Sequence, residues 1–310
     1  MTRAGFIAII GAPNAGKSTL VNRLVGSKVS IVTRKVQTTR FPIRGVAIEG
    51  DAQMVLVDTP GIFTPRRRLD RAMVRAAWNG AQDADAVVHL IDTEAHDLVD
   101  TGRPRAADHL AVRDAKTIAE GLKAAGHRAV LALNKIDLVR KERLLALTER
   151  LFDETIYTEV FMISATGGGG VADLRHALAA KMPEGPWFYP ADQSADLPVR
   201  LLAAETTREK LYLRVHEELP YSAAVETTAF EERADGSVRI EQTVYVERDG
   251  QRAIVLGKGG LALKQIGQAA REELSVLLDR TVHLFLHVKV KRGWAEDRQH
   301  YGDVGLEFDV

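Results

Sequence analysis

Short apolar runs recur along the first half of the chain, at residues 6–10, 54–57, 86–91, 129–133 and 160–163. Runs of this length, apolar on both faces, are the pattern of strands buried in a sheet that helices cover on either side. Between them, apolar positions spaced three and four apart predict helices near 17–25, 70–80, 106–125, 141–151 and 171–181. Residues 44–49 and 53–57 flank Gly50-Asp51 and read as two strands joined by a tight turn, which adds one antiparallel strand. The alternation predicts an α/β domain with a mostly parallel sheet and helices on both faces. Gly, Asp and Pro crowd residues 92–105, which predicts a surface loop there.

The pattern changes near residue 182. Pro183, Pro186, Pro190 and Pro198, with Gly185, Asp192, Ser194 and Asp196 among them, mark 182–198 as a linker, so 1–181 is one domain and 199–310 a second with a C-terminal tail. The second half reads as a helix at about 200–217, a strand at 223–233, a turn at Asp235-Gly236 and a strand at 237–248. A short apolar turn at 253–256, Gly257-Lys258-Gly259-Gly260, a helix at 261–278 and a strand at 282–290 follow. The order α-β-β-α-α-β predicts a smaller α+β domain with its helices on one face of the sheet.

Composition narrows the chemistry. With 45% apolar residues over 310 positions the chain can fill two ordinary cores. Lys plus Arg equals Asp plus Glu at 42 each, so overall charge points to no polyanionic partner and local patches must be sought. There are no cysteines, which excludes disulfides, thiolate nucleophiles and cysteine-ligated zinc and suits a cytoplasmic protein. The run at 6–10 is too short for a signal-peptide core, and no stretch approaches the roughly 20 apolar residues of a membrane span.

Gly11-Ala12-Pro13-Asn14-Ala15-Gly16-Lys17-Ser18 fits G-x-x-x-x-G-K-[ST] and Thr19 follows it, between a predicted strand and a predicted helix. Glycines let backbone N–H groups turn in around phosphates. Lys17 is then placed on the β- and γ-phosphates, Ser18 supplies a hydroxyl to Mg²⁺, and the helix dipole favours negative charge. This loop implies a nucleoside triphosphate but no particular base.

Asn134-Lys135-Ile136-Asp137 follows the strand at 129–133. A carboxylate at Asp137 can accept from both N1–H and the 2-amino group of guanine, a pair of donors adenine lacks; the plainer alternative is a helix N-cap. Ser164-Ala165-Thr166, after the run at 160–163, is placed to support the base through backbone N–H groups. Asp58-Thr59-Pro60-Gly61 follows another strand, with Asp58 placed to hold Mg²⁺ through water and the Gly61 amide placed to reach the γ-phosphate. Val36-Gln37-Thr38-Thr39-Arg40 offers a threonine hydroxyl to complete the Mg²⁺ shell; Thr39 is preferred, and the sequence does not separate it from Thr38.

These five elements, in this order, resemble the G1 to G5 motifs of translation-factor-related GTPases over residues 3–181. Lys17, Thr39 and Gly61 are then the catalytic candidates. Ras-like enzymes carry a water-orienting Gln after Asp-x-x-Gly; Ile62 stands there and offers no polar atom, which predicts slow hydrolysis of GTP to GDP and phosphate. Asn14 matches the asparagine that ligates K⁺ in potassium-stimulated relatives; its plainer role is to stabilise the loop.

In the second half Gly257, Gly259 and Gly260, with Lys258 between and Lys264 one turn on, form the Gly-x-x-Gly element by which KH domains let a nucleic-acid backbone approach. From Arg252 to Arg292 eight Lys/Arg face three Asp/Glu, a local net of +5 in a neutral chain. His283 and His287 share a strand face, with no carboxylate companions to make a metal site. A GTPase followed by a type II KH domain resembles the Era-like family of bacterial ribosome-assembly GTPases. The stretches Ala203-Ala204-Glu205-Thr206-Thr207-Arg208-Glu209-Lys210 and Val288-Lys289-Val290-Lys291-Arg292-Gly293-Trp294 also match. The resemblance implies a monomeric switch that binds 16S ribosomal RNA near its 3′ end, assists 30S subunit maturation and touches the cytoplasmic membrane peripherally. The alternative is a GTPase acting mainly on a protein or membrane partner.

Overall fold

A computed structural model of the chain describes residues 1–33, 35, 38–215, 223–298, 301 and 305–309. They fall into two compact units: Met1–Ser30 with Thr39–Asp196 and Gly305–Val310, and Ile31–Thr38 with Leu197–Val304.

In the first unit, β1 (Arg3–Gly11), β3 (Ala52–Asp58), β4 (Ala86–Asp92), β5 (Ala129–Asn134) and β6 (Tyr157–Met162) are parallel. β2 (Ile43–Glu49) and β7 (Ala195–Asp196) run antiparallel to their neighbours, in the order β6-β5-β4-β1-β3-β2-β7. Alternation along β1 explains the two layers. Ile7 and Ile9 pack under α1 (Lys17–Val25) and α6 (Val171–Ala180), whereas Ala8 and Ile10 pack under α2 (Arg68–Gln82) and α4 (Ala106–Ala125). Each fully buried Ile or Leu of these clusters contributes about 1.5–3 kcal/mol. The strands end at one edge, where the loops after β1, β3 and β5 gather.

Two regions differ from the sequence expectation. Within 92–105, Thr93–Asp100 form a helix, α3, and only the turn beyond it is loop. Asp92 accepts from the Ala95 N–H at 3.2 Å as N-cap, Thr93, Ala95 and His96 are buried, and Asp97 and Asp100 pair with Arg143 and Arg150 of α5 (Lys141–Leu151). The acidic residues that suggested a loop are a cap and two ion-pair partners. The stretch expected to be a linker is a strap on the first unit. The buried Gln53 side chain accepts from the Phe188 and Tyr189 N–H groups at 2.8 and 3.0 Å, and β7 pairs with β2.

The second unit runs α7 (Val199–Arg214), β8 (Ala223–Glu232), β9 (Val238–Val246), α8 (Asp249–Leu256), α9 (Leu261–Leu277) and β10 (Val282–Val290). The sheet order is β10-β9-β8, with β10 parallel and β8 antiparallel to β9. Residues 253–256, expected as a turn, end a helix that starts at Asp249. Ala203 and Leu211 of α7, Val255 of α8, and Ile266 and Leu274 of α9 meet Val238, Ile240, Val244 and Val246 of β9, so the three helices share one sheet face. Residues 216–217, expected at the end of the first helix, lie outside the described residues.

Candidate functional site

The loop after β1 leads into α1 with Gly16 at the N-cap in the left-handed region (φ 100°), and no side chain caps the helix. A β-carbon at Gly16 would fall 2.3 Å from Asn134 Nδ2, so glycine is required on both conformational and steric grounds. The N–H groups of the first helical turn are therefore left for an anion. Lys17 is 6% exposed and donates to the Gly11 and Ala12 carbonyls at 3.1 and 2.9 Å. Burial lowers its pKa to about 8, with the Asp58 charge opposing. Thr19 lies on the same first turn, while Asn14, at φ 63°, holds its side chain in solvent.

Three oxygens converge beside Lys17. Ser18 Oγ donates to Asp58 Oδ2 at 2.7 Å and lies 2.9 Å from Thr39 Oγ1, which reaches Asp58 Oδ2 at 3.2 Å. Asp58 is fully buried, its Oδ1 has no hydrogen-bond partner, and burial pushes its pKa up against the pull of Ser18 and Lys17. A buried carboxylate oxygen left unpaired among hydroxyls is the donor set a hydrated Mg²⁺ would satisfy. Thr38 is turned elsewhere: its hydroxyl donates to the Lys35 carbonyl at 2.7 Å and meets Thr33 Oγ1 at 2.6 Å. Val36 and Gln37 of this loop lie outside the described residues.

After Asp58, the Thr59 hydroxyl donates to the Ile9 carbonyl at 2.7 Å and the Ile62 N–H to the Gly11 carbonyl at 3.1 Å. These bonds bring buried Pro60 and Gly61 to the first loop, where Gly61 lies against Pro13. The Ile62 side chain is buried in the core with Ala77 and Ile91.

Asn134 joins two loops: its Nδ2 donates to the Ala15 carbonyl at 2.7 Å, and its Oδ1 accepts from the Ala165 N–H at 2.9 Å. Lys135 adopts φ 67° and pairs with Asp92 at 2.5 Å. Asp137 lies exposed on a short 3-10 turn and caps no helix; among the described residues nothing donates to its carboxylate. Ser164 Oγ accepts from the Gly167 N–H at 2.9 Å, while Arg23 of α1 donates to the Ala165 carbonyl at 3.2 Å and to the Thr166 carbonyl. Sequence reasoning missed Arg23 and Asp92 as supports. A lone Arg on a helix and an Asp at a strand end carry no motif, and only the fold brings them to these loops.

In the second unit, α8 ends at Gly257, whose φ of 68° and approach to Ala262 (2.7 Å from a β-carbon built there) exclude a side chain. Gly259 and Gly260 also have positive φ, with open space around both. Lys258 and Lys264 are exposed and neither makes an ion pair among the described residues. Ile254 and Leu261, each 56% exposed, flank the turn and add apolar surface beside the charge. His283 and His287 lie on β10, and no group of three or more His, Cys, Asp or Glu able to hold a metal occurs among the described residues.

Residues 6–135 match a family profile described as 50S ribosome-binding GTPase, and residues 218–295 one described as KH domain. GTPase Era of Caulobacter vibrioides (strain NA1000 / CB15N) is 68% identical over 309 residues, covering 100% of this chain and 98% of that protein. The chain belongs to the Era family of GTPases. GTPase Era of Maricaulis maris is 57% identical over 308 residues, with 99% and 98% covered. A crystal structure of Era in complex with MgGDPNP and nucleotides 1506–1542 of 16S ribosomal RNA superposes with a TM-score of 0.87. It is 34% identical over 98% of this chain and 99% of that one. A variant of Aquifex aeolicus Era bound to GDP·AlF4⁻ has the same TM-score, identity and coverage. The fold class read from the sequence, a P-loop GTPase domain followed by a KH domain, is the Era architecture, and this family member is a guanine-nucleotide-binding GTP hydrolase.

Proposed function

We propose that this Era-family GTPase binds 16S ribosomal RNA near its 3′ end through the turn at Gly257, Lys258, Gly259 and Gly260, with Lys264 beside it, and so assists 30S subunit maturation. The observation that carries this reading is the tight glycine turn with Lys258 in it and Lys264 on the helix after it, neither in an ion pair among the described residues, in a chain whose solved relative holds nucleotides 1506–1542 of that RNA. Filter binding of the full chain to that RNA tests it. Salt-sensitive binding supports it, and salt-insensitive binding or none would favour a client among proteins or membranes. No helix of the described residues is long and apolar enough to cross a membrane, and the membrane contact we propose is peripheral.

At the nucleotide, the loop at 11–19 wraps the phosphates with the backbone N–H groups of its residues other than Pro13, and Lys17 neutralises the β- and γ-oxygens. The Ser18 and Thr39 hydroxyls and the Asp58 carboxylate would hold Mg²⁺, which would supply positive charge against that developing on the transferred phosphoryl oxygens. The Gly61 N–H orients the γ-phosphate, and the peptide dipoles of Thr59 and Pro60 line its approach. Asp137 reads the guanine edge while Asn134, Lys135, Ser164, Ala165 and Thr166 shape its seat. With Ile62 buried, no side chain there aligns the attacking water, so turnover is slow and the cycle serves as a timer.

Asn14, an exposed residue of the phosphate loop, is our candidate K⁺ ligand. A cation there predicts GTP turnover about tenfold faster in KCl than in NaCl at equal ionic strength, the difference vanishing in Asn14→Ala. Equal rates in the two salts would leave Asn14 as a loop stabiliser only.

Lys17 gives a pH signature. Its pKa of about 8 in the free protein must rise beside a polyphosphate, so binding favours the protonated form. GTP affinity should be flat below that pH and fall, up to about tenfold per unit, above it. Titrations between about pH 7.5 and 9 check this, with Lys17→Arg as the variant that stays protonated and flat. A flat wild-type profile would contradict it.

A further inference from the structure

The loop at residues 164–168, in the first compact unit, occupies its backbone donors with itself and with Asn134, save one. The Ser164 N–H donates to the Gly169 carbonyl at 2.9 Å and the Ala165 N–H to Asn134 Oδ1 at 2.9 Å. The Gly167 N–H donates to Ser164 Oγ at 2.9 Å and the Gly168 N–H to the Ser164 carbonyl at 2.7 Å. The Thr166 N–H meets no acceptor among the described residues.

Arg23 grips the carbonyls on either side of that open donor. Its Nε donates to the Ala165 carbonyl at 3.2 Å and its Nη2 to the Thr166 carbonyl. The Ala165 carbonyl and the Thr166 N–H belong to one planar peptide unit and, in a trans peptide, point opposite ways. A guanidinium offers its N–H groups as a rigid fork, so holding both carbonyls sets the tilt of that plane and the aim of the N–H on its far side. Asn134 holds the other end of Ala165 and also donates to the Ala15 carbonyl at 2.7 Å, so the open N–H is fixed relative to the phosphate loop. Arg23 lies in the last turn of α1, where its plainer role is to offset the helix dipole. A lysine would serve the dipole equally well but could not reproduce the two-pronged grip.

With Asp137 accepting from N1–H and the 2-amino group, guanine still presents O6, the acceptor next to N1, which needs a donor from the protein. Adenine carries an amino group at that place, and a fixed N–H would face it donor to donor. We infer that the Thr166 N–H reads guanine O6 and that Arg23 is the positioning residue that aims it. This rests on residues 164–166 seating the base, as proposed above.

The test uses the full chain and competition of GDP, IDP and 6-thioguanosine diphosphate against a fluorescent GDP, so that turnover plays no part. IDP keeps O6 and lacks the 2-amino group; the thio compound keeps both donors that Asp137 accepts and puts sulfur, a weak acceptor, in place of O6. The wild type should prefer GDP to the thio compound about tenfold. Arg23 is exposed, so Arg23→Ala leaves the core intact. That variant should bind GDP and IDP about fivefold more weakly and the thio compound less than about twofold more weakly, shrinking the preference for oxygen to about threefold. Arg23→Lys, with one ammonium for two carbonyls, should restore the preference only in part. A wild type that does not distinguish oxygen from sulfur would overturn the O6 contact and, with it, the seating role of the loop. A wild-type preference that Arg23→Ala leaves intact, or that Arg23→Lys restores in full, would overturn the positioning role alone.

Discussion

Replacing Asp137 with asparagine is expected to weaken GTP binding on the order of 10³-fold and to make the protein prefer xanthosine triphosphate. The carboxylate is exposed, sits on a 3-10 turn just past β5 and accepts nothing among the described residues, so both its oxygens are open to a ligand. Guanine presents N1–H and a 2-amino group, two donors that an ionised carboxylate accepts together, each bond to a charged group contributing about 1.5–3 kcal/mol. An asparagine amide can accept from N1–H but sets its own N–H against the 2-amino group. Xanthine carries a carbonyl at that position and restores the match. The seat around the base survives, because Asn134 holds Ala15 and Ala165, and Lys135 holds Asp92, without help from Asp137. Competition of GTP and XTP against a labelled nucleotide reads the outcome, and unchanged GTP affinity would contradict the assignment.

The second large effect concerns RNA. Lys258 lies in the glycine turn and Lys264 one helical turn beyond, both exposed and free of ion pairs among the described residues. A phosphate contact on single-stranded nucleic acid adds about 0.7 to the slope of log affinity against log salt. The double variant Lys258→Ala, Lys264→Ala should therefore lose about 1.4 from that slope and bind 16S 3′-end RNA about 25-fold more weakly near 0.1 M salt. Neither lysine is in the nucleotide-binding unit, so basal GTP turnover should stay as in the wild type. Filter binding across a KCl series measures both quantities. An unaltered slope would move the RNA contact away from this turn.

Most of the nucleotide loops were legible because the grammar is local. A buried apolar run, a glycine-rich turn and an amphipathic stretch name a strand, a phosphate loop and a helix without knowledge of neighbours, and Gly11 to Thr19 follow that order. The same locality explains the misreadings. Residues 92–105 were weighed by composition, whereas the Asp92 cap and the bonds from Asp97 and Asp100 to α5 make their first half helical. The prolines at 183–198 mark a linker between domains, and composition does not show that buried Gln53 holds Phe188 and Tyr189 of that stretch against β3.

Sequence alone determined that a triphosphate loop, an Asn-Lys-Ile-Asp string ending at Asp137, a hydrophobic Ile62 and a Gly-x-x-Gly turn occur in one chain, since each is a short string whose chemistry depends on residue type and spacing. Only the tertiary structure shows that the Thr39 hydroxyl, and not that of Thr38, meets Ser18 and Asp58, because adjacent residues of one type differ only in where the backbone turns them. Arg23 and Asp92 became visible as supports of the loops at 164–166 and 134–137 only in the fold, because hydrogen bonds between distant segments leave no periodic trace in the chain.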